Sequence, residues 1–289
     1  VEKLNIALQQ SIDRLANLGK TAPPQPHKAE VIHLPVWQDD HRGVPNAALR
    51  SALFAAVHEK DCTYVERKSL AVQNGFEIRY TGKQLCQSDL DVWELALHLA
   101  RLHPLGTRCE FTAHAFLKAL GRHTGKYEHE WLKDVFARLQ GAVVEITVGG
   151  RFTYSGQLID EVARDETTGR YVLFINPRLA ALYDTKGWTA IDWDQRQQLK
   201  RKPLALWLHG FFATHAKPFP LKVESLMKWS GSSNTSKRDF KRRLKEALEE
   251  LLTVGAILSY HFEGDLLYVE RVPSPSQQRH LQKKTTIHR

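Results

Sequence analysis

Six cations fall within nine residues near the C-terminal end of the chain: Lys237, Arg238, Lys241, Arg242, Arg243 and Lys245. At helical spacing Phe240, Leu244, Ala247, Leu248 and Leu251 share one side, while Arg238, Lys241, Arg242 and Lys245 form a stripe largely opposite. Apart from Asp239, the acids begin only at Glu246. Cations in the first half of a helix oppose its dipole, at about 0.3–1 kcal/mol each, so a chain that keeps them there uses the charge elsewhere. Guanidinium and ammonium groups pair with phosphate, and the arginine fork matches a guanine edge. The preceding turn, Ser233, Asn234, Thr235 and Ser236, adds hydroxyls and an amide suited to phosphate and base-edge contacts, and Ser236 with Asp239 also fits a capping box. Contact with nucleic acid is the chemistry this stretch favours over a merely solvated face.

A second set lies near the middle of the chain. Arg122, His123, Thr124, Lys126 and Tyr127 form the polar lead-in to the helix YEHEWLKDVFARLQG, and Lys133 stands on its mixed outer face. For this helix, contact with a polyanion and simple solvation are equally open. Arg151 follows the hairpin turn Gly149-Gly150, where it would probe a groove or a phosphate. Lys200, Arg201 and Lys202 run just ahead of another helix, and Lys202 would add to the same positive field. The acidic tip Glu263-Gly264-Asp265 of the last hairpin is expected to face away from phosphate.

Catalytic chemistry has little support. GRHTGKY is one residue short of a phosphate loop and lacks the following Ser or Thr. The fourteen His are scattered, no HExxH occurs, and no His-hydrophobic-His pair accompanies a nucleophilic Tyr. Cys62, Cys86 and Cys109 stand apart without a CxxC pair, so neither a metal site nor a disulfide framework is expected, and no cofactor is implied. Binding rather than catalysis is the expectation. A net charge of +9 agrees with a polyanionic partner without proving one. No apolar run approaches the roughly 20 residues of a membrane span, and VEKLNIALQQSIDRL does not read as a signal peptide. A reduced, cytoplasmic bacterial protein is expected, and the missing initiator Met suggests a fragment or a processed chain.

The 289 residues are enough for two domains. Residues 1–30 read as an amphipathic helix and a Pro-rich linker, a segment that leaves self-association open. Val31–Trp37 reads as extended, ALRSALFAAV as a helix capped by Asn46, and residues 64–82 as a strand pair. Ser88 with Asp91 predicts the start of a helix running to Leu102. Short and long helices follow, with Thr112 at one start and Gly121 at one end, and then the hairpin at Gly149-Gly150. The order recurs: a helix through Pro203, a short helix ending at Gly231, the cationic helix, and a hairpin at Gly264. Two such runs predict an α+β protein of tandem winged-helix (winged helix-turn-helix) domains, 31–192 and 193–273, with a basic C-terminal tail over 274–289.

The strings VIHLPVW, RGVPNAALRSALFAA, YTGKQLCQSDLDVWE and YVLFINPRLAALY resemble the TrfA replication initiator family of IncP-type broad-host-range plasmids, from about Val31 through the last hairpin. That resemblance implies tandem winged-helix domains binding direct-repeat iterons in duplex origin DNA. It further implies opening of an adjacent AT-rich region with contact to the single strand. The implied host partners are the initiator DnaA, the replicative helicase and the polymerase sliding clamp. It places the clamp-binding pair on Leu53 and Phe54, where an apolar setting equally suits a core role. A winged-helix transcriptional regulator without melting activity is the alternative, and a nicking initiator enzyme a third.

Overall fold

The computed structural model describes residues 33–73, 75–104, 109–183 and 187–287; the helix and linker expected before Val31, with Val31 and Ile32 themselves, lie outside them. β1 (His41–Pro45) leads into one helical turn, α1 (Asn46–Leu49), and a two-residue strand, β2 (Phe54–Ala55). β3 (Tyr64–Ser69), β4 (Phe76–Lys83) and β5 (Leu85–Cys86) precede the first long helix, α2 (Gln87–Ala100). Next come β6 (Cys109–Thr112), α3 (Ala113–Ala119) and α4 (Lys126–Gly141), then two hairpins: β7 (Val143–Val148) with β8 (Arg151–Gln157), and β9 (Glu161–Asp165) with β10 (Arg170–Phe174). β11 (Trp188–Asp192) and α5 (Trp193–Gln198) lead to α6 (Pro203–Ala213), β12 (Leu221–Lys222), α7 (Val223–Trp229) and α8 (Lys237–Thr253). The hairpin β13 (Ser259–Glu263) with β14 (Leu266–Glu270) and the helix α9 (Pro275–Ile287) are the last of the described elements. The architecture is mixed α and β, with helix, strand, helix, helix, hairpin occurring twice in order.

The two runs differ in how their strands pair. In the second, β12 joins the hairpin directly, giving the order β12-β14-β13. In the first, β6 pairs instead with β10, in the order β6-β10-β9, while β7 and β8 extend a four-stranded sheet, β3-β4-β7-β8. The hairpin at Gly149-Gly150 therefore does not occupy the place expected of a wing beside β6; β9 and β10, whose turn carries Asp165 and Glu166, do. The reason is side-chain alternation. Ile78, Ile146 and Tyr154 are register partners and all buried, so β7 places its apolar face with β4 and is committed to that sheet.

Several boundaries move for identifiable reasons. α2 starts one turn-fraction early because Cys86, not Ser88, is its cap: Asp89 accepts the Cys86 N–H at 2.8 Å. Asp91 is thereby freed to face Arg196. Leu102 lies past the helix end and is 68% exposed, so it is not part of the apolar stripe. His33–Gln38 has no strand partner among the described residues. The single helix expected around Pro203 is two, α5 and α6, with Pro203 in the first turn of α6 and Arg201 at φ 64 in the turn between them. The expected tail is helical, and Gln277 of α9 donates to the Ala213 carbonyl at 2.8 Å.

The largest change concerns ALRSALFAAV. Its helix ends at Leu49, and Asn46 is inside the turn rather than capping it, accepting from the Thr189 hydroxyl at 2.7 Å. Residues 51–57 then run as a non-helical strap that is extended at β2. On one side, β2 pairs in parallel with β5 and the Phe54 carbonyl accepts from Gln87 at 2.5 Å. On the other, the Ala56 N–H donates to Ser230 at 2.7 Å and the Trp207 indole donates to the Ser51 carbonyl at 2.9 Å. An extended backbone can serve both neighbours, whereas a helix would spend those groups on itself. Gly231 allows the close approach: a Cβ there would meet the Ala55 and Ala52 methyls at 2.9 and 3.0 Å.

A buried polar network joins the same two runs. Arg196 of α5 is fully buried and donates to Asp91 at 2.7 Å and to the Gln87 side chain at 3.2 Å. Glu94 lies 3.1 Å from the Arg196 Nε, off the line of its N–H, so neither Glu94 oxygen accepts a hydrogen bond among the described residues. Burial, outweighing the neighbouring guanidinium, pushes the Glu94 carboxyl up to about 8. His33 onward forms one compact unit.

Candidate nucleic-acid interface

α8 carries the densest cationic surface of the described chain. Its apolar side, Phe240, Leu244, Ala247, Leu248 and Leu251, is buried in a core shared with Trp207, Phe211 and Leu226. That burial fixes the rotation of the helix, so the opposite stripe faces solvent. Ser236 caps it, accepting from the Asp239 N–H at 3.3 Å. Ser233 and Thr235 are exposed just upstream, and Asn234 is held by the Ser232 hydroxyl at 3.1 Å.

The stripe is not uniformly free. Lys237 is paired with Asp265 at the tip of the β13–β14 hairpin, and Lys241 lies 3.9 Å from the same carboxylate while donating to the Gly264 carbonyl at 2.5 Å. Lys241 and Lys245 stand 5.0 and 5.7 Å from the centre of the Phe262 ring. Arg242 pairs with Glu246 at 2.6 Å. Arg238 has no partner among the described residues. The acidic tip was expected to face away from a phosphate surface; it turns toward the start of α8 instead. Hydrogen bonding from Lys237 holds the Asp265 carboxyl below the usual carboxylate range. A shallow groove results, lined by Lys237, Arg238, Lys241, Arg242, Lys245 and Asp265.

Around α4 the expected residues separate into two groups. His123, Lys126 and Tyr127 are exposed, Tyr127 by 79%, and Thr124 and Lys126 line a groove with His129 and Arg164. Arg122 serves a structural role: it donates to Glu128 at 2.6 Å and lies 3.6 Å over the Trp131 ring. Lys133 bridges Glu130 and Glu166 at 3.0 and 3.1 Å, and those hydrogen bonds raise its pKa. Lys202 pairs with Glu250 at 2.5 Å, and Lys200 donates to the Gly121 carbonyl at 3.0 Å. Arg122, Lys133 and Lys202 are thus committed to protein partners rather than presented as free cations. Arg151 is exposed at the β7–β8 turn, on the four-stranded sheet rather than beside β6.

Leu53 and Phe54 are 1% and 0% exposed, with Phe54 stacked on Trp93 at 5.6 Å. Of the two settings left open for this pair, the structure has the core one: neither side chain is exposed for contact with another protein. Sequence reasoning missed Asp265, Glu246 and Phe262 as members of the α8 surface. Only Glu246 had a local signal, four residues after Arg242. Among the described residues no group of three or more His, Cys, Asp and Glu is placed to hold a metal ion, and no helix is long and apolar enough to cross a membrane.

With this geometry in place, a family model described as TrfA protein matches residues 11–271. The chain belongs to the TrfA protein family. The match begins upstream of Val31, where the recognisable strings start. Among TrfA relatives, the plasmid replication initiator protein TrfA of Escherichia coli is 27% identical over 249 residues, covering 81% of this chain and 63% of the relative. The chain thus spans 63% of that relative's length. Among solved structures, domains 2 and 3 of RctB superpose with a TM-score of 0.51 at 14% identity, covering 72% of this chain and 86% of that one. This is a likeness of fold. The Pi initiator protein in complex with iteron DNA reaches a TM-score of 0.47 at 13% identity, over 71% of this chain and 99% of that one, a level from which no correspondence is drawn.

Proposed function

We propose that this TrfA-family chain is a plasmid replication initiator that binds duplex repeats at an origin through two winged-helix modules, and does so without catalysis. The observation that carries the reading is α8. It is a capped helix rotated by its core so that Arg238, Arg242 and Lys245 face outward, preceded by an exposed polar turn and followed by a hairpin whose second strand pairs with β12. Recognition helices of this class read bases from their N-terminal part, which is where the cations stand. α4, with His123, Thr124, Lys126 and Tyr127 at its start, is the corresponding helix of the first module. Membership of the TrfA family supports the remaining parts of the proposal: opening of an adjacent AT-rich region, contact with its single strand, and contact with the host initiator, helicase and clamp.

The test uses the full chain with a duplex carrying the direct repeats of its plasmid origin and a scrambled duplex of equal composition. Fluorescence anisotropy over a salt series should give tighter binding to the repeats, and permanganate probing should report unpaired thymines in the adjoining AT-rich tract when host initiator is added. Equal affinity for the two duplexes would overturn the reading. Preference for the repeats without unpaired thymines under any condition would leave a transcriptional regulator in its place.

A further inference from the structure

We propose that Asp265 is a specificity-determining residue, which holds Lys237 and Lys241 at the protein's own wing tip and so suppresses binding to DNA of unrelated sequence. The inference rests on the duplex-binding role of α8. The turn at Gly264, with φ 59, brings the tip of the β13–β14 hairpin against the first turns of α8. There one carboxylate meets two ammonium groups, Lys237 in a direct pair and Lys241 at 3.9 Å. Lys241 is held further by the Gly264 carbonyl and by the face of Phe262. Asp265 is half exposed, so the contact contributes little to folding. It is nevertheless the one acid lining a groove otherwise formed by five cations.

A carboxylate in that position acts unequally on two kinds of complex. Non-specific binding is almost entirely phosphate neutralisation, and each lysine released to a phosphate adds about 0.9 to the salt slope. With Asp265 present, that attraction is reduced by a competing internal partner and by repulsion between carboxylate and phosphate. In a specific complex base-edge contacts add to the binding, and a carboxylate near the groove accepts from a cytosine amino group. The discrimination ratio therefore depends on the acid even where overall affinity does not. The carboxyl is ionised at neutral pH, as an exposed aspartate is, and the bond from Lys237 holds its pKa lower still.

Asp265→Asn in the full chain, with Asp265→Glu as the conservative control, tests this against the repeat duplex and the scrambled duplex. The asparagine variant should bind scrambled DNA several-fold more tightly, with a salt slope steeper by about 1–2, while repeat binding changes less and discrimination falls. The glutamate variant should restore both values. In a Lys237→Ala background the effect of Asp265→Asn should shrink, as a double-mutant cycle reads coupling. An unchanged slope and ratio in Asp265→Asn would overturn the inference, as would an equal loss on both duplexes. Failure of the wild-type chain to prefer repeats is a separate result, which overturns the duplex-binding role itself.

Discussion

Arg238 and Arg242 sit one turn apart on the same helix, yet their surroundings differ. Arg242 spends its guanidinium on Glu246, whereas Arg238 is exposed and without a partner among the described residues. Arg238→Ala should therefore weaken repeat-duplex binding by about 1–3 kcal/mol if it reads a base edge, seen as a greater loss on repeats than on scrambled DNA. Lys133→Ala, by contrast, should leave duplex affinity within about twofold, because Glu130 and Glu166 already occupy its ammonium; a large loss in the same anisotropy titration would return Lys133 to the interface. The positions of the α8 cations were legible in the sequence, because helical spacing alone separates them from Phe240 and Leu244. Their partners were not. Asp265 lies 28 positions from Lys237, and Glu166 lies 33 from Lys133. No local pattern links such residues; only the hairpins that fold back on each helix bring them together.

At the level of elements, the amphipathic helices and hairpin turns could be read directly, since each carries its own signal. Thr112 and Ser236 cap as expected, and the turns at Gly149-Gly150 and Gly264 stand where expected, all three glycines having positive φ. Ser236→Ala should cost about 1 kcal/mol of stability, measurable as a shifted urea midpoint with an unchanged slope. The strap defeated the reading because Ala47, Ala48, Leu49, Ala52, Leu53, Phe54 and Ala55 are all buried. An apolar run enclosed on every side has no period by which helix and strand can be told apart. Phe54→Ala should destabilise the fold by about 3–5 kcal/mol, again by urea titration. A variant of unchanged stability would show that the pair is not held in the core. Strand pairing in the first run of elements was equally illegible: nothing in β7 or β10 alone states which of them lies beside β6.

For the whole molecule, two buried histidines, His98 and His209, and the half-buried His215 make stability depend on acid. Burial lowers the pKa of His98 to about 4, of His209 to about 3 and of His215 to about 4. In the unfolded chain each returns to about 6.5. As pH falls below that value the unfolded state takes up protons that the native state refuses, so these groups favour unfolding from pH 6.5 downward until their native values are reached. Above pH 6.5 all three are neutral in both states and the effect vanishes. Each such histidine adds up to about 1.4 kcal/mol of stability per pH unit within that window. Urea titrations at pH 5.0 and 6.5 on the wild type and on His209→Gln should show a shallower pH dependence in the variant by about that amount. Identical pH dependence would mean that His209 takes up its proton in the native state at the same pH as in the unfolded chain.

Arg196 lies on the C-terminal side of Asp192, yet the acid it donates to, Asp91, lies far upstream on α2. Breaking a buried ion pair by removing one member costs about 3–5 kcal/mol. A chimaera of two relatives cut near Asp192 would therefore keep its stability only where the arginine and the aspartate arrived matched. A chain joined without that match would bury a guanidinium with no counter-charge beside it.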